Sequence, residues 1–261
     1  MFEVFALRYG STLGTKAARY HRFETYAEPD ADAPLDFYFW LARNEAKTVL
    51  VDCGYDDVRT KARGYLQARR PVDLLAEMGV RPADVDHVVL THFHFDHIGN
   101  VDLFPNATFS VARAELEFWT GPLADRPHLN FAGDPAEIKA VASLGEQERL
   151  VLVEGTFEVV PGMSATVVGG HTLGQMIATV STGSGEIVLA SDAAHLYEEY
   201  EMDRPYWLFA DLPAMYRAYE ILREAEARSD ALVIPGHDPG VMHRFHRVSP
   251  DIVDLTRPIA G

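Results

Sequence analysis

The 261-residue sequence contains one cysteine, Cys53, so no disulfide can close within the chain. A lone thiol fits a cytoplasmic protein. Cys53 follows the apolar run Val49-Leu50-Val51 and precedes Gly54, so a packing role is expected for it rather than that of ligand or nucleophile. Basic residues are scarce: 23 Lys and Arg stand against 39 Asp and Glu, for a formal charge of −16. A nucleic-acid partner needs a basic footprint that displaces counterions, and this balance opposes one. It also disfavours polyanionic substrates while leaving a small neutral molecule open. No apolar stretch approaches the roughly 20 residues of a bilayer span, and the opening Met1-Phe2-Glu3-Val4 has neither a basic segment nor a long apolar run, so no signal peptide and no membrane partner are expected. Repeats at a fixed period, low-complexity segments and linkers are absent, so residues 1–261 are expected to form a single domain.

What is present is an ordinary apolar fraction, 48%, enough for a sizeable core. Alternation predicts strands over 1–9, 36–43 and 47–52, separated by a polar, proline-bearing loop at 28–34. Helical periodicity runs over 57–79, broken by Pro71. Strands are predicted at 88–90, 108–111, 149–153, 166–168, 176–180 and 186–190, with a short helix over Arg113–Trp119, a loop over 121–134 and a helix ending near Ser143. Asp211-Leu212-Pro213 starts a helix, Asp as N-cap and Pro in the first turn, running to about Arg228. Strands in blocks with interspersed helices predict an α/β fold of two packed sheets flanked by helices.

The densest feature is Thr91-His92-Phe93-His94-Phe95-Asp96-His97, three imidazoles and a carboxylate directly after Val88-Val89-Leu90. Alternate side chains of an extended stretch share a face, so His92 and His94 can converge on one ion, while Asp96 and His97, where the chain turns, can serve a second. Unpaired buried charge is costly, which makes metal ligation the better account of such a cluster than packing.

The pattern H-x-H-x-D-H after a strand resembles the metallo-β-lactamase superfamily of metallohydrolases. The rest of that family's pattern follows in order: His171 in Gly170-His171-Thr172-Leu173-Gly174, Asp192 after Ile187-Val188-Leu189-Ala190-Ser191, and His237 in Pro235-Gly236-His237. The resemblance implies an αββα sandwich with the site at the sheet edges. It also implies two divalent metal ions, zinc first by the nitrogen and oxygen donors, with manganese, iron or cobalt also fitting. One ion takes His92, His94 and His171, the other Asp96, His97 and His237, with Asp192 bridging. Asp52 matches an aspartate that orients a ligand histidine. The chemistry implied is attack of a metal-bridging hydroxide on a carbonyl, with Asp96 and Asp192 catalytic through the metal.

Within the superfamily the whole chain looks like the N-acyl-homoserine lactonases. That implies opening of a small lactone or ester, possibly quorum quenching, and suggests a homodimer. Where that group commonly has Asp-x-x-Tyr, this chain has Asp192-Ala193-Ala194-His195. His195 can donate to the oxyanion or the leaving oxygen, or cap the strand end; Tyr197 is a second source of a phenol. Phe118, Trp119, Phe131, Tyr206, Trp207 and Phe209 are candidates for a substrate pocket. The basic run His243-Arg244-Phe245-His246-Arg247 is expected at the surface or a subunit contact, and His21, His87 and His128 are expected to be structural. The competing readings are a thioester hydrolase of the glyoxalase II type, a non-catalytic metal-binding regulator and a mononuclear iron sulfur dioxygenase. The first is disfavoured because only residues 238–261 follow His237.

Overall fold

The computed structural model describes residues 1–55, 58, 69–228 and 230–259. Thirteen strands are described: β1 Glu3–Thr12, β2 Leu35–Arg43, β3 Thr48–Val51, β4 His87–Val89, β5 Thr108–Ala112, β6 Leu150–Val153, β7 Thr156–Val160, β8 Met163–Val167, β9 Met176–Thr182, β10 Gly185–Ser191, β11 Ala231–Pro235, β12 Phe245–Ser249 and β13 Ile252–Pro258. They form two mixed sheets, one in the order β12-β13-β1-β2-β3-β4-β5-β6 and one in the order β11-β10-β9-β8-β7.

The alternation of side chains explains the layering. In β1 and β2, Val4, Ala6, Tyr38, Trp40 and Ala42 point between the sheets and meet Ala178, Val180 and Leu189. Their alternates Phe5, Leu7, Phe37, Phe39 and Leu41 point the other way, onto Leu74 and Leu75 of the helix Pro71–Glu77 and Val141 and Leu144 of the helix Pro135–Glu146. The far face of the second sheet is covered by the helix Leu212–Glu226 through Met215, Ala218 and Leu222. The order is therefore helix, sheet, sheet, helix, the α/β sandwich expected. Because both faces of β2 are covered, it is apolar almost throughout rather than alternating with polar residues.

The predicted helix over 57–79 appears as Pro71–Glu77, while much of its first half lies outside the described residues. Asp211 caps its helix as expected, accepting from Ala214, and Asp134, which ends the predicted loop, caps the helix after it, accepting from Ala136. Three features lacked a strong sequence signal. The hairpin β7–β8 is longer than the predicted 166–168, the helix Tyr197–Met202 was not predicted, and the basic run 243–247 closes a helix at Arg244 and opens β12, a sheet edge. Of the remaining histidines, His87 is buried against Ser110 at 3.1 Å and His21 packs edge-on to Phe209.

Parallel pairs place the chemistry. β3 and β4 run parallel in the first sheet, β10 and β11 in the second. Their carboxyl ends lie at one edge, where an open α/β sheet presents its loops. Asp52, the His92–His97 segment, Asp192 and His237 each follow one of these ends.

Candidate metal centre

The seven residues singled out by their motifs come together in two groups. His92, His94, His171 and Asp192 offer ligand atoms within 4.8 Å of one another, as do Asp96, His97 and His237. Asp192 joins them. Its Oδ2 lies 3.2 Å from His171 Nε2 and 3.7 Å from His92 Nε2, and its Oδ1 lies 3.0 Å from His237 Nε2 and 3.3 Å from His97 Nε2. His94 Nδ1 faces His171 Nε2 at 2.9 Å.

The backbone makes this convergence possible. Ser191 adopts a left-handed φ of 46° immediately before Asp192, and Asp52 one of 60° after β3, conformations that side chains disfavour unless their surroundings enforce them. Gly236 precedes His237, and a Cβ there would lie 2.6 Å from Ser191 O and 3.0 Å from Asp192 Oδ1. Only glycine lets β11 bring His237 this close to Asp192.

Four of the five rings are oriented from behind. Asp52 Oδ2 is 2.8 Å from His97 Nδ1, and the same carboxylate accepts from Thr91 N, Thr91 Oγ1 and Ser191 Oγ. Leu208 O holds His171 Nδ1 at 2.9 Å, Asp36 O holds His237 Nδ1 at 2.8 Å, and Thr91 Oγ1 lies 3.2 Å from His92 Nδ1. Such contacts fix the tautomer and aim the other nitrogen into the centre.

The electrostatics fit a cation. Burial drives His92 and His94 well below the ordinary imidazole value and lowers His171, so these rings are neutral and have lone pairs to give. Burial pushes Asp96 up, but His97 and His237 outweigh it and bring the carboxyl down to about 2. Burial also opposes ionisation of Asp192, yet His195, His237 and His97 hold it well below the usual carboxylate range. His97 is raised despite burial, because Asp96, Asp192 and Asp52 surround it with negative charge. A cation would relieve the same excess. The Nε2 atoms of His92 and His97 are buried with no hydrogen-bond partner among the described residues, a costly state that ligation would remove. The two groups could therefore hold a dinuclear metal site, and the residues fit it.

Residues 38–237 match the model of the metallo-beta-lactamase superfamily. The chain belongs to that superfamily. Among its relatives, the chain is 28% identical over 251 residues to N-acyl homoserine lactonase AttM of Rhizobium johnstonii, covering 90% of this chain and 94% of that one. It is 27% identical over 221 residues to an N-acyl homoserine lactonase of Bacillus sp., covering 78% and 82%. Among solved structures it is similar to the hydrolase AbOPH, with TM-score 0.75 at 20% identity over 100% of this chain and 95% of that one. It is similar also to an N-acyl homoserine lactone hydrolase with the product N-hexanoyl-L-homoserine bound at its catalytic metal centre, with TM-score 0.74 at 21% identity over 96% and 98%. A third, AidC, described as a dizinc quorum-quenching lactonase, gives TM-score 0.68 at 19% identity over 100% and 96%. At these identities the structural likenesses concern the shared fold.

For this metallo-beta-lactamase superfamily chain, a cavity open to solvent leads to the centre. His195 lines it, buried, with Nε2 3.0 Å from Asp192 Oδ2 and its ring stacked on Tyr206 at 3.7 Å between centroids. Burial opposes its charge, but Asp192 and Glu199 lift it to about 9 in the absence of metal. Glu199 fixes the His195 segment by accepting from the backbone N–H of His195 and Leu196. Tyr197 is not at the centre: its ring lies under the Arg244 guanidinium, 3.6 Å away, and lines a separate groove. The phenol beside the centre belongs to Tyr206. Phe131 and Trp207 pack together at the cavity wall, while Phe118, Trp119 and Phe209 line a neighbouring recess on the His94 and His171 side.

The motifs did not point to Glu115, which is buried in the helix Arg113–Trp119. Its Oε1 accepts from Phe93 N at 2.9 Å and Trp119 Nε1 at 2.8 Å, and its Oε2 from Gly174 N at 2.9 Å. One carboxylate thus ties the His92-x-His94 segment to the His171 loop and seats the indole that lies edge-on to His94. The spacing of Glu115 and Trp119, one helical turn apart, is the only sequence signal for it.

Proposed function

We propose that this chain is a dinuclear metal-dependent hydrolase that opens a small lactone, with N-acyl-homoserine lactones as candidate substrates. His92, His94 and His171 would hold one ion, Asp96, His97 and His237 the other, with Asp192 between them. The observation that carries the reading is the division of the Asp192 carboxylate, Oδ2 toward His171 and Oδ1 toward His237. The lactone substrate is supported by the names of the relatives. Zinc is supported by the nitrogen and oxygen donor set and by the dizinc description of AidC. A cytoplasmic homodimer is proposed on the lone cysteine and the family resemblance.

When bound, two divalent ions supply Lewis acidity and water acidified to near neutrality. The chain's residues supply position and protons. Asp52 and the carbonyls of Leu208 and Asp36 hold the rings, so that little reorganisation is needed during reaction. Phe131 and Trp207 give the cavity an apolar wall for the part of the substrate that does not react. His195, inside the cavity, donates a proton to the ring oxygen as the ester bond breaks.

Elemental analysis of reconstituted protein should find about two ions per chain, and a pH-indicator screen should find lactones opened in preference to thioesters. One ion at full activity, or turnover of thioesters alone, would overturn the reading. His195→Ala should lower kcat by roughly 10²-fold with metal content retained. His195→Tyr should recover part of the rate or shift preference toward acyl-homoserine lactones. An unchanged kcat in the alanine variant would make His195 a structural partner of Asp192.

A further inference from the structure

We propose that Arg19 is an anion-recognition point in the wall of this cavity, and that the substrate is a lactone whose substituent ends in a carboxylate. The inference rests on the lactonase reading for the ring and on Arg19 alone for the charge.

Arg19 lines the same cavity as His94, Asp192 and His195. Its position is fixed by the fold: Tyr20 pairs with Tyr206 across an isolated bridge, and Trp207 N donates to Arg19 O at 2.8 Å. The guanidinium is seated as firmly. Nε donates to Ala33 O at 3.2 Å and Nη2 to Leu13 O at 3.0 Å. It also lies flat against Gly14, where a Cβ would stand 2.5 Å from Nη2 and 2.7 Å from Cζ and Nε. Glycine at 14 is what leaves this seat open.

These hydrogen bonds run to neutral carbonyls, a further one meets the neutral Tyr206 phenol, and among the described residues Arg19 makes no ion pair. That contrasts with Arg204, which is paired to Glu28 and Glu198 on the same side of the molecule. A guanidinium preorganised in a cavity with its charge unmatched is a receptor for an anion, since its fork can offer two parallel donors to one carboxylate. The distance to the reacting centre is one aromatic residue: Arg19 interacts with the Tyr206 phenol, the Tyr206 ring stacks on His195, and His195 reaches Asp192. A substrate with a few atoms between its lactone and its carboxylate spans that distance. The protein's overall negative charge does not oppose this, because at the cavity the carboxylates of Asp96 and Asp192 face histidines and the proposed ions.

The test uses the metallated protein with a closely matched pair of probes, N-succinyl-L-homoserine lactone and its methyl ester, which differ in the distal charge and one methyl group. The wild type should show a KM about tenfold lower for the free acid, the effect of one charged hydrogen-bonded contact. Arg19→Met should erase that preference, read as the ratio of the two KM values on the same protein. Gly14→Ala, which displaces the guanidinium without removing it, should do the same, and Arg19→Lys should keep only part of the preference. Calorimetric binding of the two ring-opened products gives the same comparison without turnover. Equal KM values and equal product affinities for acid and ester in the wild type would overturn the proposal, as would a preference that survives Arg19→Met. If neither lactone is opened but the products still bind with an Arg19-dependent preference for the acid, the lactonase reading fails and the anion site stands.

Discussion

Asp192→Ala is expected to leave a protein that folds, binds metal poorly and turns over substrate at least about 10³-fold more slowly, more than the loss of a single transition-state donor. One carboxylate faces both ligand groups, with His171 and His195 on Oδ2 and His97 and His237 on Oδ1. No other described side chain spans the two. Removing it would take away the proposed shared ligand and the negative charge that would offset two cations, so both ions should weaken together. Asp192→Asn sharpens the test. The amide keeps one oxygen acceptor but turns an NH2 group on the other set, so one ion should be lost first. Metal content by elemental analysis, followed on the same samples by turnover, separates these outcomes. A fully metallated, active alanine variant would show that the bridging assignment is wrong.

Glu115→Ala is the second large effect expected. The carboxylate satisfies Phe93 N, Gly174 N and the Trp119 indole from a site shielded from water. Each buried donor left unmatched costs about 1–3 kcal/mol, so the metal-free protein should lose roughly 3 kcal/mol or more. The functional consequence is separate. With the tie cut, the His92–His94 segment and the His171 loop can drift relative to each other, and metal affinity should fall about 10–100-fold, as when groups that orient ligands are removed. Glu115→Gln should fall between, because it preserves shape but sets an N–H of the amide against a backbone N–H. Val141→Ala serves as a control: it opens a cavity in the core beside the outer helix and should destabilise without altering metal affinity. Denaturant melts of the metal-free protein and zinc titration against a competing chelator measure the two effects. Loss of stability with unchanged affinity would make Glu115 a purely structural tie.

The candidate ligands were legible because ligation restricts residue type. His, Asp and their immediate neighbours must stand at strand ends in a fixed order, and the linear pattern of His92, His94, Asp96, His97, His171, Asp192 and His237 preserves that order whatever the intervening loops do. Glu115 carries no such restriction. Its role arises from three donors on two distant loops and an indole, and only the folded chain reveals that they meet. Tyr197 and Tyr206 make the same point in reverse. Tyr197 stands nearer Asp192 in sequence, yet the helix that begins there carries its ring under Arg244, while the Tyr20–Tyr206 bridge brings the more distant tyrosine onto His195.

By itself, then, the sequence singled out the seven candidate ligands and, through the family resemblance they carry, the αββα class, since both are written in residue types and their order. The tertiary structure alone decided how the two oxygens of Asp192 divide between the two groups, which buried groups aim the imidazoles, and which arginine lines the cavity. These depend on distances of about 3 Å between residues far apart in the chain, such as Asp36 and His237 at 2.8 Å or Arg19 and Ala33 at 3.2 Å. Hydrogen bonds of that length depend on direction and contact, not on spacing along the sequence.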